Sequence, residues 1–186
     1  LPSFVLRLVG AFDRVGIPYM LSGSLASVLY GEPRTTKDAD LVIAPTPEQV
    51  GWLVSELRTS CYVSLEAAEA AVRERSTFNV IDLAEGWKAD LLVRKARSFS
   101  LVEFDRRRLA EALGSRLVVV SPEDSILSKL EWAKEGGSTR QRRDALGVAI
   151  VQRDVLDRDY LRRWAAELGV SASLEEVLAA ADEVAP

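Results

Sequence analysis

Apolar positions at the start of the chain follow a helical period. Phe4, Val5, Leu8, Phe12 and Val15 recur every three or four residues, which predicts an amphipathic helix over residues 3–15 that stops at Gly16. "IPYMLS" then reads as a short strand broken by Gly23 and Ser24, and "SLASVLYG" as a short helix stopped by Gly31 and Pro33. The polar loop "EPRTTK" leads into a strand, "DADLVIA", and a helix follows from about Pro47 to Arg58 with Thr46 as its N-cap. "CYVS" predicts another strand, and "LEAAEAAVRER" a helix made of strong helix formers. "TFNVIDL" and "KADLLVR" are two apolar runs joined by "AEGW", the pattern of a β-hairpin. A helix from about Ser98 to Leu113 ending at Gly114 is expected next, then a strand, "RLVVVS". From Ser121 the pattern is helical almost throughout. It opens on "SPED", where Ser caps, Pro takes the first turn and acidic residues meet the helix dipole, and it breaks near "EGGS" and near Gly169.

Helices and strands in this order predict an α/β (α+β) fold: a mixed β-sheet flanked by helices over residues 1–120, with a helical C-terminal region, 121–186, packed on it. The 186 residues, 48% hydrophobic and 28% charged, suffice for a full core and exclude disorder. A net charge of -4 argues against a surface devoted to nucleic acid and confines any such contact to local basic stretches such as "FDRRR". The absence of histidine excludes Ser-His-Asp and Cys-His catalysis and histidine-based zinc sites. Cys61, the single cysteine, cannot form an internal disulfide and reads as a small buried residue in a reducing cytoplasm. No apolar run reaches the roughly 20 residues that span a bilayer, and the first residues lack the plan of a signal peptide. Trp52, Trp87, Trp132 and Trp164 fall on different elements and read as core or partly buried anchors.

Chemistry must therefore rest on carboxylates, cations, hydroxyls and a metal. Asp38 and Asp40 are two residues apart on an extended segment and so share a face. Two carboxylates this close raise each other's pKa and are costly to desolvate unless a cation compensates, and Mg²⁺ suits them because it takes one or two protein carboxylates and completes its shell with water and phosphate oxygens. A third carboxylate on the sheet would complete the site. The hairpin offers Asp82 and Asp90: Asp90 interrupts a strongly apolar run where an unpaired charge is costly, whereas Asp82 lies nearer the turn and is free to be exposed, so Asp90 is chosen, to bind metal and orient or deprotonate an acceptor hydroxyl. Gly23 and Ser24 stand at a strand-to-helix junction, where glycine permits close backbone approach and the helix N-terminus offers free amides to a phosphate.

"LSGSLASVLYGEPRTTKDADLVI" resembles the opening of the nucleotidyltransferase superfamily of DNA polymerase beta, whose small members begin with a Gly-Ser turn, a helix and an Asp-x-Asp strand, with a later strand aspartate. Within it, "RTTKDADL" and "SPEDSILSKLEWAKEGGSTRQRRDALGVAI" resemble the AbiEii or MenT type toxins and related bacterial nucleotidyltransferases. The resemblance spans roughly residues 17–151. It implies transfer of a nucleoside monophosphate from an NTP to a hydroxyl acceptor, on tRNA or other RNA, a small molecule or a protein, with two Mg²⁺ ions and loss of pyrophosphate. Asp38, Asp40 and Asp90 would hold the metals, and Gly23 and Ser24 would contact the triphosphate. Lys129 in "SKLEW" would meet the nucleotide phosphates, with Arg140, Arg143 and Asp144 of "RQRRD" as its companions and Arg34 as a further cation. An antitoxin partner is implied by the toxin likeness.

Each residue has a plainer alternative. Asp90 can pair with Lys88 or Arg94, Lys129 with Asp124 or Glu131, and Arg140 with Asp144 at i,i+4. For the chain as a whole the alternative is a catalytically silent module on the same fold that binds nucleotide or a partner in an antitoxin or regulatory role.

Overall fold

The computed structural model describes residues 1–184, which form two compact units. The first comprises Leu1–Ser22 and Thr36–Val119, the second Gly23–Thr35 and the chain from Val120 onward. The short helix within 23–35 groups with the C-terminal helices.

In the first unit, α1 (Pro2–Val15) ends on Gly16 in the left-handed conformation and turns an apolar stripe, Phe4, Val5, Leu8 and Phe12, into the core. The strands are β1 (Tyr19–Ser22), β2 (Asp38–Ile43), β3 (Cys61–Tyr62), β4 (Thr77–Asp82), β5 (Lys88–Val93), β6 (Arg108–Ala112) and β7 (Ser115–Val119), and the helices between them are α3 (Pro47–Leu57), α4 (Leu65–Glu74) and α5 (Ser98–Asp105). α3 starts at a full capping box formed by Thr46 and Gln49. The strands make one seven-stranded mixed sheet in the order β3-β4-β5-β2-β1-β7-β6. β2 lies antiparallel to β1, in register from Asp40 to Ile43, and parallel to β5, in register over its whole length from Asp38. Ala39, Leu41 and Ile43 of β2 line up beside Ala89 and Leu91 of β5 and Phe78 and Val80 of β4 as the buried face.

The segment expected as one helix from Ser98 to Leu113 is helical only to Asp105. Arg108–Ala112 instead form β6, which pairs antiparallel with β7 through a two-residue turn, Leu113 and Gly114, with φ of 55° and 76°. Positive φ at both central residues is the turn that fits the twist of a hairpin, and its tertiary pairing overrides the helical propensity of "LAEAL". "CYVS" likewise yields only the two-residue β3.

The second unit holds α2 (Gly23–Tyr30), α6 (Pro122–Gly136), α7 (Thr139–Gln152), α8 (Arg158–Leu168) and α9 (Ser171–Glu183). Ser121, Ser138 and Asp157 cap α6, α7 and α8 through their side chains. The breaks near "EGGS" and Gly169 are present, and a further break, residues 153–157, separates α7 from α8. At the start of α6, fully buried Asp124 accepts hydrogen bonds from Ser121 Oγ and Tyr160 Oη. Trp164 is buried as expected, but Trp52 and Trp132 are 62% and 52% exposed, because each lies on the outer face of its helix. Among the described residues no helix is long and apolar enough to cross a membrane.

Candidate functional site

The in-register pairing of β2 with its neighbours assembles a row of polar side chains that crosses four strands. Asp40 stands opposite Ser22 of β1 on one side and Asp90 of β5 on the other, and Asp90 in turn stands opposite Asn79 of β4. One pleat pair earlier, Asp38 of β2 stands opposite Lys88 of β5. Cross-strand partners point to the same side of a sheet, and so do residues i and i+2 of one strand. Asp38, Asp40 and Asp90 therefore share one face, opposite the face buried by Ala39, Leu41 and Ala89. Asp82 belongs to the other face. It is buried at 2% exposure rather than exposed as expected, because strand alternation turns it inward, where it is paired with Arg7 and accepts from the Glu85 amide.

Asp90 is not isolated in this row. Lys88 Nζ lies 3.1 Å from its Oδ1, and the Asn79 side-chain amide donates to the same oxygen. The hydrogen bond to Asp90 holds the Lys88 ammonium above its ordinary pKa against the small cost of burial, and the charges of Asp90, Asp38 and Asp40 add to it. Lys88 thus feels all three carboxylates. Oxygen donors on one open face are the ligand chemistry that hard divalent cations require, and Asp38, Asp40 and Asp90 supply it. Among the described residues no group of three or more His, Cys, Asp or Glu side chains is gathered tightly enough to hold an ion by itself.

In the second unit a cationic cluster forms around Asp144 of α7. Arg34 donates to both carboxylate oxygens, from Nε at 2.9 Å and Nη2 at 2.7 Å, and Lys129 Nζ of α6 donates to Oδ2 at 3.0 Å. The same Arg34 Nη2 also reaches Ser24 Oγ at 2.7 Å. Lys129 is buried, and Asp144 of the next helix is a partner of its ammonium. Arg34, not Arg140, takes the carboxylate of Asp144. Burial pushes the Asp144 carboxyl up, but the hydrogen bonds and charges of Arg34 and Lys129 outweigh it and hold the pKa below the usual carboxylate range. The fork geometry is made possible by the approach of α2 to α7. A Cβ on Gly31 would stand 2.8 Å from the Gly147 carbonyl carbon and the Val148 amide nitrogen, so only glycine permits this contact just ahead of Arg34.

Beside this cluster lies a cleft of about 200 Å³ lined by Ser27, Glu32, Arg34, Arg140, Arg143, Asp144 and Gly147. Its three guanidiniums outnumber its two carboxylates. The second unit therefore brings together Ser24, Arg34, Lys129, Arg140, Arg143 and Asp144. Gly23 has a φ of 58° and its carbonyl accepts from Ser27 Oγ. The sequence does not single out Asn79 and Ser22 beside the aspartates or Glu32 in the cleft, and it offers Lys88 only as a salt-bridge partner of Asp90.

No family model matches the sequence, and no curated protein does. Among solved structures, the chain is similar to an antigenic nucleotidyltransferase-like protein from Paracoccidioides brasiliensis, with a TM-score of 0.57 at 17% identity over 95% of this chain and 91% of that one. It is similar to ANT(2'')-Ia in complex with adenylyl-2''-tobramycin, with a TM-score of 0.57 at 15% identity over 90% of this chain and 95% of the other. The lincosamide antibiotic adenylyltransferase LnuA, bound to lincomycin, gives a TM-score of 0.51 at 12% identity over 77% of this chain and 93% of that one. The chain has the mixed α/β fold of these nucleotidyltransferases.

Proposed function

We propose that the protein is a Mg²⁺-dependent nucleotidyltransferase that moves a nucleoside monophosphate from an NTP to a hydroxyl acceptor. The observation that carries this reading is the in-register placement of Asp38, Asp40 and Asp90 on one face of two parallel strands, in a fold shared with nucleotidyltransferases. In the reaction an acceptor hydroxyl oxygen forms a bond to the α-phosphorus, the α–β bridging P–O bond breaks, and pyrophosphate leaves with the electron pair. Asp38, Asp40 and Asp90 would hold two Mg²⁺ ions, which when bound supply neutralising charge for the phosphates and the attacking oxygen. Asp90 is the carboxylate assigned to orient the acceptor hydroxyl and receive its proton. In the second unit, Lys129, Arg34, Arg140 and Arg143 provide cationic donors for phosphate oxygens, Ser24 and the α2 N-terminus provide further donors, and Asp144 fixes the orientation of Arg34 and Lys129. Catalysis in this class is mostly positioning and charge stabilisation, which fits a site without histidine.

The likeness of "RTTKDADL" and "SKLEW…RQRRD" to AbiEii or MenT type toxins supports an RNA or tRNA acceptor, an antitoxin partner and action in the cytoplasm. Small-molecule and protein acceptors are the other chemical classes with a free hydroxyl. The direct test incubates the protein with each labelled NTP, Mg²⁺ and total cellular RNA or lysate. Label in one fraction, lost on EDTA addition and in the Asp38→Asn/Asp40→Asn double variant, supports the proposal, and unimpaired transfer by that folded variant refutes it.

One observation favours the silent nucleotide-binding or partner-binding module instead, namely that Asp90 is already engaged by Lys88 and Asn79. Mg²⁺-dependent NTP binding without pyrophosphate release across varied acceptors would select that reading.

A further inference from the structure

The acidic row carries its own cation. Three carboxylates and one ammonium occupy the same face of β2 and β5, with Lys88 directly opposite Asp38 in register and 3.1 Å from Asp90. The Lys88 side chain is 40% exposed, so it is neither buried structural packing nor remote from solvent. Lys88 stands two residues before Asp90 on β5, and its ammonium reaches the Asp90 carboxylate while staying partly open to water.

We propose that Lys88 is a resident counter-ion of the Asp38, Asp40 and Asp90 carboxylates that competes with a divalent cation for Asp90, and so weakens binding of the free ion. The inference rests on the carboxylate row being a cation site. Without an ion, three carboxylates on one face repel one another, and the ammonium relieves that repulsion at the cost of one hydrogen-bonding oxygen of Asp90. When a divalent cation reaches the row, Lys88 faces a like charge and its contact with Asp90 must loosen. Asn79 stays, because an amide donor to a carboxylate oxygen is compatible with a cation on the other oxygen.

The test measures Mn²⁺ binding to the whole protein without nucleotide, by electron paramagnetic resonance of the free ion or by calorimetry. Lys88→Gln, which keeps a donor of similar length but drops the charge, should tighten Mn²⁺ binding about tenfold, the scale of repulsion between a unit charge and a divalent ion about 5 Å apart in water-like surroundings. Lys88→Arg, which keeps the charge, should bind within about twofold of wild type. In parallel, the rise in melting temperature on adding Mn²⁺ should be larger for Lys88→Gln than for wild type, because the apo variant has lost its internal cation. Equal Mn²⁺ affinity for Lys88→Gln and wild type, or weaker binding by the variant, overturns the proposal. Asp40→Asn separates the two levels of inference: if it leaves Mn²⁺ binding unchanged, the row is not a cation site and the functional reading fails. If it abolishes binding while Lys88→Gln does nothing, only the competition fails.

Discussion

Replacing Asp144 with Asn is expected to destabilise the second unit far more than removing Lys129, although the two side chains touch. Asp144 stands between two cations, with side-chain exposures of 6% for Asp144, 7% for Lys129 and 28% for Arg34. The wild-type trio carries one net positive charge. Asp144→Asn removes the carboxylate that Arg34 and Lys129 share, with Lys129 deeply buried, and stripping one partner from a buried charged network costs about 3–5 kcal/mol. Lys129→Met leaves the neutral Arg34–Asp144 fork with both of its hydrogen bonds and removes a buried charge, so the expected cost is about 1 kcal/mol or less. Urea unfolding followed by circular dichroism gives both numbers, and the ratio is the decisive quantity. The pH dependence checks the same assignment. Because the folded-state pKa of Asp144 lies below its unfolded value of about 3.9, its contribution is fully present above that value and is lost as pH falls through the folded pKa. Wild type should therefore lose stability on the acid side, and Asp144→Asn should lose less over the same range. If Asp144→Asn costs under about 1 kcal/mol, or if Lys129→Met costs as much as Asp144→Asn, the counter-ion account of the trio is wrong.

Two further substitutions probe the backbone that places these groups. Gly31→Ala puts a methyl 2.8 Å from the α7 backbone and should cost about 1–3 kcal/mol in denaturant unfolding and loosen the Arg34 fork, whereas Gly51→Ala, which meets no atom within 4 Å, should be neutral or mildly stabilising; equal effects would show that the α2–α7 approach is not tight. Leu113→Asn supplies an Asn-Gly turn where leucine is held at a φ of 55°, so the melting temperature should rise, by an amount equivalent to up to about 1 kcal/mol, and a fall would mean that Leu113 packing outweighs the turn.

What the chain discloses locally and what it withholds follow from the range of the interactions involved. The β2 motif was legible because Asp38 and Asp40 sit at a period of two on a short apolar run, and that period fixes their common face wherever the strand is placed. The α6 start was legible because "SPED" writes a cap, a first-turn proline and dipole charges into four consecutive residues. β6 was not, since Arg108–Ala112 is mostly exposed, shows no alternation and owes its strand state to pairing with β7. Asn79 was invisible because its place beside Asp90 is a matter of lateral register between strands. The Arg34–Asp144 fork joins residues 110 positions apart, so "RQRRD" alone pointed to the nearer partner, Arg140.

The two charged groups obey one rule with the signs exchanged. In the first unit three carboxylates are held with one ammonium, and in the second two cations are held with one carboxylate. A surface of uncompensated like charges would be costly to fold, and a fully neutral one would have no attraction for a charged ligand. Each group stops between these limits: an opposite charge makes the folded state tolerable, and the majority sign, negative in the carboxylate row and positive around Asp144, is the one that a divalent cation and a phosphate respectively would satisfy. On this view Lys88 and Asp144 are equivalent in role although neither is a ligand contact by necessity. Their removal should be read out differently: Lys88→Gln strengthens cation binding in the first unit, whereas Asp144→Asn leaves surplus positive charge in the second that lowers stability.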